Sequence, residues 1–129
     1  ELGCTNTHFN NCNGLPDPAH VVSARDMALI SREAIKNSMF RKIVGTVRYE
    51  IPPTNKHADP TPLNNHHQMI SAYKGRQNLY EYCVGGKTGW TSDAGNTLVT
   101  FAEKDGMTLI CVVMGCSAGG QYSDIQNII

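Results

Sequence analysis

No apolar run in this 129-residue chain approaches the ~20 residues that a membrane-spanning helix needs. An excess of one charge is also lacking. Eleven Lys and Arg balance eleven Asp and Glu, and no basic stripe stands out, so a nucleic-acid partner is not expected. No Cys-x-x-Cys occurs among Cys4, Cys12, Cys83, Cys111 and Cys116, which argues against a zinc ribbon. The odd number leaves at least one thiol unpaired within the chain. Cys4 and Cys12 are candidates for a pair. Cys111 and Cys116 lie in or at the end of an apolar run, where cysteine acts as a small hydrophobe. The neighbours His66 and His67 would point to opposite faces of an extended segment, which argues against shared coordination. Neither a metal nor a cofactor is expected. No internal repeat is visible. The chain opens Glu1-Leu2-Gly3 without a methionine or a charged-then-apolar leader, as a processed or internal segment would.

What is present reads as one globular domain of mixed α/β (α+β) class. Residues 1 to 22 are rich in Asn, Gly, Pro and Asp and read as loop, with a short helical turn at the start. Ser23 is a helix N-cap with Asp26 in capping-box register. Met27, Ile30 and Ala34 then recur at helical spacing, and Asn37-Ser38 ends that helix. Met39 to Val44 reads as a second short helix with Phe40, Ile43 and Val44 turned inward. Thr46 to Ile51 alternates as a strand does and stops at Pro52-Pro53. Residues 52 to 68 read as a long polar loop, of the kind that is functional or mobile. Tyr80 to Trp90 reads as a strand broken at Gly85-Gly86, and Thr97 to Glu103 as the next. Asp105-Gly106 is a hairpin signal. Met107 to Met114 is apolar at almost every position, which predicts cover on both faces of the sheet. A C-terminal helix follows Gly119-Gly120, with Ile125, Ile128 and Ile129 inward. The three strands form an antiparallel meander.

The densest chemistry is Val84-Gly85-Gly86-Lys87-Thr88-Gly89-Trp90-Thr91. Lys87 brings a fixed positive charge, Thr88 a hydroxyl, and Gly89 a strand position open to close backbone approach. A Lys-Thr-Gly triplet is one signature of serine penicillin-recognising enzymes. The chain resembles one family of them, the penicillin-binding D-alanyl-D-alanine carboxypeptidases, along most of its length. Thr7-His8-Phe9 with Asn13-Gly14-Leu15 resembles the family's "NTHF…(H)GL" segment. Ser23 to Ile30 is similar to its next helix. Gly85 to Asn96 resembles "GGKTGxTxxAGx", and Gly106 to Gly115 the strand that follows.

The resemblance implies a partial β-lactamase/transpeptidase-like fold, with residues 1 to 129 as the C-terminal part of a catalytic domain. It implies acyl transfer on peptidoglycan stem peptides ending in D-Ala-D-Ala, outside the cytoplasmic membrane, with β-lactams as covalent inhibitors. Lys87 would be catalytic, and Thr88, Gly89, Trp90 and Thr91 substrate-binding. The strand would pair with the extended substrate, and the backbone N–H of Trp90 would join the oxyanion hole. The nucleophilic Ser-x-x-Lys and the Ser-x-Asn of the family would lie upstream. Ser71-Ala72-Tyr73-Lys74 fits the first pattern, but Gly75 follows at once and the chain order is wrong, so the isolated chain is expected to be inert. It is also expected to associate with a missing N-terminal segment, or with itself, through an exposed strand. Asn13 stands where the family often has His. Asn64-Asn65-His66 replaces a basic segment, and Gln121 stands where many members carry Arg. A β-lactamase-like enzyme, with Asp59 or Glu81 as the extra carboxylate, and a non-catalytic peptidoglycan-binding module stay open as alternatives.

Overall fold

The computed structural model describes residues 2–129. Residues 2–22 are extended and bent, with one isolated bridge between His8 and Val21. Among the described residues, the helical turn expected near the start is absent. Helix α1, Ala24–Ala34, begins at Ser23, whose Oγ accepts the Asp26 N–H. Asp26 does not complete a capping box. Its fully buried carboxylate accepts the Asn6 N–H and the Thr7 hydroxyl, both at 2.7 Å, and so ties the N-terminal loop to α1. The Thr7 hydrogen bond leads the effects that hold the Asp26 carboxyl below its ordinary range.

Asn37, read from sequence as a helix end, caps the next helix instead. Its Oδ1 accepts the Phe40 N–H at the start of α2, Ser38–Gly45. Phe40 packs edge-on against Phe101 with ring centroids 6.2 Å apart. Ile43, expected to face inward, is 64% exposed. The chain then forms β1, Arg48–Ile51, two residues shorter than its alternation suggested. The long loop expected after it contains a strand, β2 (Thr61–Asn64), antiparallel to β1. Pro62 fits there opposite Glu50 because a two-stranded ribbon has outer edges that need no donor.

The main sheet is a meander in the order β3-β4-β5, made of Cys83–Thr91, Gly95–Lys104 and Met107–Cys116. The Cys83 N–H donates to the Tyr80 carbonyl and closes a turn, so β3 starts later than expected, although the Tyr82 carbonyl still accepts the Glu103 N–H of β4 at 2.9 Å. Gly85-Gly86 does not break it. The register shifts at Val84, which has no partner on β4. Asp105 and Gly106 close the second hairpin at positive φ (50° and 79°).

Helix α3, Gly120–Ile128, lies against β4 and β5 and buries Tyr122 and Ile125 against Met69, Leu98 and Cys111. Full burial of Met69, Leu98 and Ile125 contributes roughly 1.5–3 kcal/mol each before cavity terms. Ile128 is 63% exposed, against expectation, while Ile129 packs on the core. Helix α1 packs on β5 and α2 on β3. Met107 and Leu109, at the hairpin end of β5, stay exposed despite the helices on that strand.

Candidate functional site

Strand β3 carries Lys87 to Thr91 on an outer edge of the sheet, since only β4 pairs with it. Pairing with Val99, Leu98, Thr97, Asn96 and Gly95 sets the alternation. Gly85, Lys87 and Gly89 share one face with Phe101, Val99 and Thr97. Thr88 and Trp90 share the other with Leu98 and Asn96. Lys87 is exposed, and its ammonium donates to the Thr88 carbonyl at 2.6 Å. It has no carboxylate partner among the described residues. Thr88 and Gly89 are half-buried, and Trp90 is 70% exposed. Thr91 Oγ1 accepts the Ala94 N–H at 3.0 Å and so braces the β3–β4 turn. A Cβ on Gly89 would come within 2.5 Å of Thr97 Oγ1, so a larger residue there would have to turn that hydroxyl aside.

Ser71 is elsewhere. It is 2% exposed, and its Oγ accepts the Tyr73 N–H to cap a short 3-10 helix, Ala72–Lys74. A buried hydroxyl used as a cap on a three-residue helix has neither the access nor the stable helix that a nucleophile needs. Asp59 is exposed in the β1–β2 connection and Glu81 in the turn before β3. Neither carboxylate is hydrogen-bonded among the described residues. Gln121 is buried, with Oε1 unpartnered, and supplies no cation at the start of α3.

A residue not singled out for this role supports the strand from behind. His67 is fully buried. Its Nδ1 accepts the Met69 N–H at 3.2 Å, so Nε2 carries the proton and donates to Thr100 Oγ1 at 3.0 Å. Its ring lies against Gly86, where a Cβ would come within 2.6 Å of the imidazole and 2.1 Å of the Val99 carbonyl. The residue before Lys87 is therefore clamped between β4 and a histidine. Burial pushes the His67 pKa down to about 4. Burial also pushes the nearby Cys83 thiol, 3.9 Å from Nε2, up to about 11. Both are neutral near pH 7 and form a packing unit, not a thiolate–imidazolium pair. His66 is exposed, and only its carbonyl, which accepts the Tyr122 hydroxyl at 3.3 Å, is engaged here. All five cysteines, Cys4 and Cys12 included, are free thiols. A groove of about 370 Å³ opens between α2 and the β1–β2 ribbon, lined by Ile43, Val47, Tyr49 and Leu63 among others, but no residue of β3 reaches it.

The sequence model of peptidase family S11, D-alanyl-D-alanine carboxypeptidase, matches residues 1–118. The D-alanyl-D-alanine carboxypeptidase DacF of Bacillus subtilis (strain 168) is 36% identical over 117 residues, covering 91% of this chain and 28% of that protein. The D-alanyl-D-alanine carboxypeptidase of Streptomyces sp. (strain K15) is 30% identical over 132 residues, covering 99% and 43%. The crystal structure of the Streptomyces K15 DD-transpeptidase superposes with a TM-score of 0.84 at 30% identity, covering 98% of this chain and 47% of that one. The chain thus spans less than half the length of these relatives. With Lys87-Thr88-Gly89 on a free edge strand, a shared three-dimensional framework and a family match over 118 residues, the chain belongs to the D-alanyl-D-alanine carboxypeptidase family.

Proposed function

We propose that this chain is the C-terminal part of the catalytic domain of a serine-type D-Ala-D-Ala carboxypeptidase. The whole protein acts outside the cytoplasmic membrane on peptidoglycan stem peptides ending in D-Ala-D-Ala. The observation that carries the reading is the unpaired edge of β3, with Lys87, Thr88 and Trp90 in sequence along it. An extended peptide adds to such an edge through main-chain hydrogen bonds. A serine supplied by the rest of the protein attacks the scissile carbonyl. Its oxygen takes negative charge, which the backbone N–H of Trp90 stabilises. D-alanine leaves, and water hydrolyses the acyl-enzyme. Lys87 provides fixed positive charge and assists proton transfer. Thr88 donates its hydroxyl to the terminal carboxylate. Gly89 keeps the strand flat beside the substrate, and the Trp90 indole lines the cleft. Thr91 holds the turn behind these groups. No second serine with its lysine is built within the chain, so the isolated 129 residues are catalytically inert.

Fluorescent penicillin tests this directly. The whole protein should form a covalent adduct, and Lys87→Ala should slow acylation by ~10²–10³, the usual effect of removing a preorganised charge or donor. The isolated chain should not label. Absence of any adduct with the whole protein would defeat the proposal. Labelling of the isolated chain that disappears in Ser71→Ala would identify a different serine.

A further inference from the structure

The site described above has a direction. Resting on the proposed reading, the scissile carbonyl lies at the Trp90 N–H and the terminal carboxylate at the Thr88 hydroxyl. These are two residues, about 7 Å, apart along the strand. The substrate therefore runs antiparallel to β3, and its C-terminus points toward Gly86 and Gly85. What stands at that end decides whether the peptide must stop there or can continue.

The last turn of α2 stands there. Val84 is the bulged residue without a partner on β4, and its carbonyl faces Gly45, where a Cβ would lie only 2.6 Å from the oxygen. On the next residue, a Cβ at Gly85 would come within 3.0 Å of the Val44 backbone and of its Cγ2. Gly85 and Lys87 share a face of the strand, so Val44 covers the Lys87 face two residues upstream of the ammonium. The turn is also anchored. Asn65 Nδ2 donates to the carbonyls of Val44 (3.4 Å) and Thr46 (3.0 Å), and the Asn65 N–H donates to the Val47 carbonyl. The open groove is lined by Ile43 and Thr46 beside this turn and by the β1–β2 ribbon, and by no residue of β3.

We propose that Val44 and Gly45 form a specificity-determining wall at the leaving-group end of the site, which admits a single residue after the scissile bond and excludes peptides that continue. The wall makes the enzyme a carboxypeptidase by shape, in addition to any recognition of the terminal carboxylate by Thr88.

The test uses the whole protein and three acyl-peptides, ending in D-Ala-D-Ala, in D-Ala-D-Ala-Gly and in D-Ala-D-Ala amide. Wild type should cleave the first and barely cleave the second. In Val44→Ala, kcat/KM for the extended peptide relative to D-Ala-D-Ala should rise roughly tenfold, the scale of a pocket change of one or two methyl groups. The amide should show no such gain. Gly45→Ala reaches the same end differently, because its Cβ pushes the turn off Val84, and its ratio should rise too. Ile43→Ala, on the same turn but 64% exposed, should leave the ratio unchanged. Thermal midpoints identify any variant that fails to fold, and the remaining one then decides. Wild type that cleaves the extended peptide as well as D-Ala-D-Ala would overturn the wall and leave the carboxypeptidase reading standing. Wild type that cleaves none would overturn the reading itself. An unchanged ratio in both variants, or an equal gain for the amide or in Ile43→Ala, would also overturn the wall.

Discussion

A neutral imidazole at position 67 is what lets β3 sit against the rest of the molecule. Protonating His67 would place a charge in a fully buried site whose neighbours are Thr100, Met69, Cys83 and Gly86. None of these can carry a compensating negative charge in acid, since burial holds the Cys83 thiol near 11 and raises Tyr122, whose ring lies 6.3 Å away, above its usual value. The sign follows. The unfolded chain binds a proton at His67 near the ordinary 6.5, and the folded chain only at about 4. Between those values the unfolded state holds more protons, so stability falls as pH drops from 6.5 to 4, by about 3 kcal/mol. Asp26, whose carboxyl is held below its usual range, adds its own loss only at lower pH. Urea midpoints of wild type and His67→Gln, measured from pH 7 to 4, separate the two. The variant should be less stable near neutrality and should lack most of the decline above pH 4. Parallel curves would refute this account of His67.

At the scale of elements, the sheet and helices were legible where the signal was local. Ser23 capped α1 as its residue type required, and Asp105-Gly106 made the hairpin it signals. Asn37 was ambiguous, because the same side chain that ends one helix can cap the next, and only chain direction after Ser38 decides. β2 was hidden because Pro62 argues against a strand unless the strand is an edge, which is a tertiary fact. Lys87, Thr88 and Gly89 were visible as a motif, but His67 was not. Nothing in His66-His67 says which imidazole is buried, and the partner that selects it, Gly86, is nineteen residues away. Gly86 supplies the corresponding prediction. Its glycine is demanded by close approach, with a Cβ meeting both the Val99 carbonyl and the His67 ring. Gly86→Ala must displace β3 from β4 or His67 from its hydrogen bonds, a loss of roughly 2–4 kcal/mol. Gly106→Ala, where a Cβ meets nothing within 4 Å, loses only the left-handed turn preference, about 1 kcal/mol. Equal thermal shifts for the two would show that packing against His67 is not what Gly86 is for.

For the molecule as a whole, the sheet ends on two open edges, β3 and β5. They are not equivalent. The β3 edge carries Lys87 and is flanked by the end of α2. From Met107 to Cys116, β5 has no charged residue and no proline. Those are the usual devices that keep a strand from pairing with another chain. Its hairpin end also leaves Met107 58% and Leu109 37% exposed. An edge of that composition is a template, so the 129-residue chain by itself should self-associate through β5, leaving the β3 edge free for peptide. Sedimentation velocity across a concentration series up to ~100 µM, the range in which exposed strand edges associate, should show a dimer or larger species. Leu109→Lys, which puts a charge on the exposed end of that strand, should return the chain to monomer with little change in thermal midpoint. Lys87→Ala, on the other edge, should not. A wild-type chain that stays monomeric throughout the series would end the claim. Dissociation by Lys87→Ala rather than Leu109→Lys would move the contact to β3, where it would compete with the peptide.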